Sequence, residues 1–187
     1  MKPKMILMMG GQGTGKGTHA KHLIERDGYA YIETGAILRA LPPQSPVAQI
    51  VARGELVPDA ELFGIIADAI AATRSRNVIL DGFPRTLNQA QWIVANYADR
   101  YDIRVVFLNV PEAIMIARIN KRIREGGGRA DDADSAVVRR RLDTFWHTTM
   151  PAIEWLRDAG GVRFADVDVS NEDADVNFAR VSDAIAD

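Results

Sequence analysis

The residues whose types and spacing could do chemistry begin with Gly10-Gly11-Gln12-Gly13-Thr14-Gly15-Lys16-Gly17-Thr18. They fit G-x-x-x-x-G-K with Gly17 inserted before the hydroxyl residue, so Thr18 is the one that reaches a metal. Repeated glycines let successive backbone N–H groups converge on one point, where the N-terminus of a following helix adds its positive end. A polyphosphate suits that field: Lys16 offers a point charge to the β and γ phosphates, and Thr18 a hydroxyl to Mg²⁺.

Other candidates share this chemistry. Asn77-Val78-Ile79-Leu80-Asp81 is apolar until it ends on a carboxylate, and Gly82-Phe83-Pro84-Arg85 follows at once. Arg118 and Arg122 form an i,i+4 pair of like charges, which costs a helix about 0.2–0.5 kcal/mol unless an anion or solvent offsets it. Basic residues are five Lys against eighteen Arg, and Arg is the better planar fork for phosphate oxygens. There is no cysteine, which excludes disulfides, thiolate zinc sites and cysteine nucleophiles. His19, His22 and His147 lack metal-ligand spacing.

These residues need a frame. Met5 to Met9 reads as a strand entering the glycine loop, and the next helix ends near Asp27-Gly28. Further strands are expected at Tyr29 to Ile32, Asn77 to Asp81, Ile103 to Asn109 and Val162 to Val167. Helices are expected from Thr34 as a cap, over Val47 to Arg53, from Asp59 as a cap through Ile70, over Leu87 to Tyr97, from Pro111, through Val137 and Val138, from Pro151, and over Asp173 to Ile185. About five strands alternating with helices imply an α/β sandwich with a parallel sheet, in which ligands sit outside the carboxyl ends of the strands.

A chain of 187 residues is most simply one domain, burying roughly 70% of its unfolded surface. A net charge of −2 gives no sign of nucleic-acid or membrane affinity, and the first apolar run is too short for a signal or a span. A cytoplasmic protein is expected. The run Gly126-Gly127-Gly128 reads as a flexible loop.

Several motifs in order resemble the adenylate kinases, within the nucleoside monophosphate kinase group, over essentially the whole chain. GGQGTGKGT resembles that family's phosphate loop, ETGAILR its monophosphate-binding turn, GELVPD the rim of that site, LDGFPRTLNQA its central signature, and NKRIREGGGRADD followed by RRRL its lid and the arginines behind it. The resemblance implies a three-layer αβα sandwich around a five-stranded parallel sheet of the phosphate-loop kinase type, one domain over 1–187, with a monophosphate-binding insertion at 33–62 and a short lid at 122–135. It assigns ATP to Gly13, Thr14, Gly15, Lys16, Gly17, Thr18, Arg118 and Arg122. AMP falls to Thr34, Gly35, Arg39, Glu55, Leu56, Val57, Gly82, Phe83, Pro84, Arg85 and Gln89, with Arg129 and Arg141 reaching the transferring group. Lys16, Arg85, Arg122, Arg129 and Arg141 are the implied catalytic set, and Thr18 and Asp81 the implied Mg²⁺ ligands.

The implied reaction is MgATP plus AMP to two ADP, with no zinc. The implied partners are ATP, AMP and ADP, with neither nucleic acid nor membrane, and a monomeric chain. Gln12 stands where the family usually has Pro, Ala36 where it has an acidic residue, and His19 where it has Gln. An extra residue before the Arg-Leu pair leaves Arg140 a rival to Arg141. Three other readings stand beside this one: a pyrimidine monophosphate kinase, a non-catalytic nucleotide-binding regulator, and a module that only hydrolyses ATP. Against the first, Thr34-Gly35 and Phe83-Pro84-Arg85-Thr86 differ from the pyrimidine type.

Overall fold

The computed structural model describes residues 2–53, 55–126 and 134–186. Five strands, β1 (Lys4–Met9), β2 (Ala30–Glu33), β3 (Val78–Asp81), β4 (Asp102–Asn109) and β5 (Val162–Asp168), form one sheet in the order β2-β3-β1-β4-β5. Every pairing is parallel. The three inner strands are almost wholly buried, which is why their sequences run apolar instead of alternating.

Helices occupy both faces of the sheet: α1 (Lys16–Asp27), α2 (Thr34–Arg39), α3 (Pro46–Ala52), α4 (Asp59–Ala71), α5 (Leu87–Tyr97), α6 (Glu112–Arg124), α7 (Ser135–Thr144), α8 (Met150–Asp158) and α9 (Ala174–Ala184). Helix α1 packs on α9 and α5 on α8. Leu23, Ile66, Ile93, Ile153 and Leu156 enter the core from these helices and meet Ile6, Leu7, Ile79 and Val105 of the sheet.

Pro151 lies in the first turn of α8, where the sequence expects a helix to start, but that helix does not follow a loop. Between α7 and α8 lies a π-helical turn, Phe145–Thr149, closed by the Met150 N–H on the Phe145 carbonyl. Proline has no N–H and its ring clashes with the carbonyl four residues back, so an ordinary α-turn is strained there. The wider turn accommodates it and keeps α7 and α8 in one rod.

The sheet's far end is tied to the C-terminal helix by a buried cation. Arg104 on β4 is 2% exposed; its guanidinium pairs with Asp102 at 2.7 Å and donates to the carbonyls of Ile185 and Ala186. The Ile185 carbonyl, at the C-cap of α9, is one of the orphans that any helix end leaves, and Ala186 follows it. Removing one member of a buried charged network leaves the others desolvated without compensation. Arg104→Leu is therefore expected to lower the unfolding free energy by about 3 kcal/mol, read from urea unfolding, with nucleotide binding by the folded fraction retained.

Candidate active site

The phosphate loop joins β1 to α1. Gly13 has φ +86°, and a Cβ there would lie 2.5 Å from the Met115 carbonyl on α6, so backbone freedom and close approach both demand glycine. The Lys16 ammonium turns back over the loop, donating to the carbonyls of Gly10 at 2.8 Å and Gly11 at 2.9 Å. Thr14 donates its hydroxyl to Gly11 at 2.9 Å. The loop is thus knotted by its own side chains before the helix begins.

Strand register brings the carboxylates to the loop. Asp81 ends β3 opposite Met8 on one side and Glu33 on the other. The Tyr31 hydroxyl donates to Asp81 Oδ2 at 2.7 Å, which fixes a carboxylate that is only 5% exposed. A cavity of about 350 Å³ opens here, and Lys16, Thr18, Glu33, Asp81, Arg85, Arg118, Arg122 and Arg141 are among its walls. The π-helical turn contributes Phe145 and Thr149 to the same wall. Behind the loop His19 is 5% exposed, and burial, then His22 and Arg118, lower its pKa to about 4. It is neutral at neutral pH and adds no charge to the anion site.

A second cavity lies beside the first, bounded by Thr34, Leu38, Arg39, Glu55, Leu56, Val57, Leu62 and Gln89. The two share Gly35, Gly82, Arg85 and Arg141. Gly82 has φ +83°, and Arg85 folds over it, its Nε donating to the Gly82 carbonyl at 2.9 Å. Arg39 pairs with Glu33 at 2.8 Å. At the rim, a hydrogen bond from Arg53 holds the Glu55 carboxyl below the usual carboxylate range, with the charge of Arg140 adding to it.

Two side chains read from the sequence as helix caps do not cap. Thr34 is the first residue of α2, with Glu33 as the N-cap, and its buried hydroxyl has no hydrogen-bond partner among the described residues. Asp59 does not cap α4. Its carboxylate accepts instead from Asn88 Nδ2 and Gln89 Nε2, both at 2.6 Å, and from the Thr86 hydroxyl at 3.4 Å.

Of the residues expected at the site, Thr14 and Phe83 line neither cavity, the latter lying edge-on to Trp92 at 5.9 Å between ring centres. Arg129 and half of the expected lid at 122–135, residues 127–133, fall outside the described residues. Of the rival arginines, Arg141 lines both cavities, whereas Arg140 donates to the Arg53 carbonyl at the rim. Sequence reading passed over Glu33, Tyr31 and Thr149. The first carried a signal, an acid directly before Thr34-Gly35, but its direction depends on strand pairing.

The sequence model of the family described as adenylate kinase matches residues 8–160. Among curated proteins named adenylate kinase, that of Parvibaculum lavamentivorans is 41% identical, covering 86% of this chain and 83% of its own length. That of Phocaeicola vulgatus is 34% identical over 83% of this chain and 85% of its own length. That of a Cyanothece strain is 35% identical over 91% and 90%. A phosphate loop, two cavities divided by shared arginines, and matches of this extent together place the chain in the adenylate kinase family of enzymes.

Proposed function

We propose that the protein transfers the γ-phosphoryl group of MgATP to AMP, reversibly, giving two ADP. One observation carries the reading: the phosphate-loop cavity and its neighbour share a wall containing Arg85 and Arg141. A group handed between two phosphates passes such a wall, and cations there neutralise charge crowded by both nucleotides.

The chemistry asks for alignment more than for proton transfer. The acceptor is a phosphate oxygen largely ionised near pH 7, its second pKa being about 6, so no general base is needed. Lys16 and the loop N–H groups hold the donor's phosphates, with Arg118 and Arg122 flanking the same cavity. Arg39, Arg85 and Arg141 face the acceptor's phosphate, while Leu38, Val57 and Leu62 offer apolar surface to a base and Thr34 and Gln89 offer polar groups to its edge. On this reading the stretch 33–62 is the monophosphate-binding insertion.

Thr18 and Asp81 bound the first cavity with hard oxygen donors, the type Mg²⁺ takes one or two at a time alongside substrate phosphates. Bound there, the ion would neutralise phosphate charge. No helix of the described residues is long and apolar enough to cross a membrane.

The testing experiment is a coupled assay with AMP, UMP, CMP and GMP offered as acceptors. AMP is expected to be the preferred acceptor. UMP used as well as AMP would instead support the pyrimidine reading, and ATP consumption without any acceptor the hydrolytic one.

A further inference from the structure

Gln89 is fully buried, yet it lines the second cavity. Both ends of its amide are engaged. Its Oε1 accepts the Arg85 backbone N–H at 2.7 Å, and its Nε2 donates to Asp59 Oδ1 at 2.6 Å. A backbone N–H can only donate and an ionised carboxylate can only accept, so these two partners together decide which end of the amide is oxygen. Turned over, the amide would set oxygen against carboxylate and N–H against N–H.

An amide has two acceptor positions on oxygen and two N–H donors. After these bonds, among the described residues, Gln89 keeps one acceptor position and one N–H. That leftover pair has a fixed polarity.

From this geometry we infer that Asp59 is the specificity-positioning residue of the acceptor site: it holds Gln89 in the one orientation that suits a 6-aminopurine and opposes a 6-oxopurine. The inference rests on the function proposed above. Adenine presents an exocyclic N–H donor beside a ring-nitrogen acceptor, whereas a 6-oxopurine presents a carbonyl acceptor beside a ring N–H, the same two places with polarity reversed. The carboxylate is itself pinned: Asn88 Nδ2 reaches it at 2.6 Å and Thr86 at 3.4 Å, both from the start of α5. Asp59 opens α4, so the contact also joins the helix that closes the 33–62 stretch to the helix that carries Gln89.

The test compares kcat/KM for AMP, purine riboside 5′-monophosphate and inosine 5′-monophosphate in the wild type and in Asp59→Asn. In the wild type the order is AMP, then the purine lacking a 6-substituent, then the 6-oxopurine, since the last opposes the amide where the second only forgoes a bond. The inosine nucleotide used as well as the unsubstituted purine overturns the inference, and that arm needs no variant.

In Asp59→Asn the replacement amide can meet either end of Gln89, so the Arg85 N–H alone still opposes the turned-over amide, and the ratio of AMP to inosine nucleotide falls about tenfold, with the KM for ATP unchanged. A structural loss alone would lower all three acceptors in proportion. AMP turnover with the ratio unmoved overturns the role of Asp59 and leaves the function standing. Failure of AMP to act as acceptor overturns both.

Discussion

Lys16→Met is expected to lower turnover by at least on the order of 10², the size of effect seen when one preorganised charge is removed from a developing anion. Methionine keeps the length and apolar stem of lysine while deleting the ammonium. In the folded protein that ammonium lies 2.8 Å and 2.9 Å from two loop carbonyls, so it is anchored over the loop and needs little reordering to meet a phosphate. Lys16 lines the first cavity and not the second. Binding of AMP should therefore survive, and kcat and kcat/KM should fall together, as when an interaction made in the transition state is lost. Steady-state kinetics of the purified variant check this. Turnover within about threefold of the wild type would take Lys16 out of the mechanism.

The second large effect separates neighbours in sequence. Arg141→Ala is expected to cut transfer by on the order of 10², because its guanidinium borders both cavities where charge from two nucleotides is densest. Arg140→Ala should act on the acceptor's KM far more than on kcat, since Arg140 holds the Arg53 carbonyl at the rim. The reversed ranking would mean that α7 presents its other face during turnover.

Local patterns made most of the fold legible. Helix α5 spans Leu87–Tyr97, the bounds its sequence suggests, because Thr86 caps it by accepting from the Gln89 N–H and its apolar positions recur at helical spacing. Strands β1 and β3 announce themselves by apolar runs, and β4 by one that only Arg104 interrupts. Pro151 opens α8 as the local rule expects, whereas the π-turn that runs α7 into it carries no signal in residue type.

The site was legible where chemistry is written in residue type, and less so where it depends on pairing between distant segments. Lys16, Asp81 and the arginines could be picked out singly. Thr34 and Asp59 are ordinary capping residues at helix starts, so propensity assigns their oxygens to their own helices. For Asp59, three donors from α5 outcompete that use. Glu33 and Tyr31 need the β2 register with β3 before their direction is known. Fifty residues separate Tyr31 from the carboxylate it holds.

The wall shared by the two cavities bears on how the enzyme could be inhibited. Two ligands that occupy adjoining sites can be joined by a connector, and the second half then binds as if present at an effective concentration fixed by the connector's length. Here the two cavities share Gly35, Gly82, Arg85 and Arg141, so the span between them is short and lined by two arginines. A connector that is itself anionic would gain from that lining as well as from tethering. Two adenosines bridged by a chain of phosphates would therefore exceed the affinity of either nucleotide alone through geometry, without requiring any contact that the separate nucleotides lack.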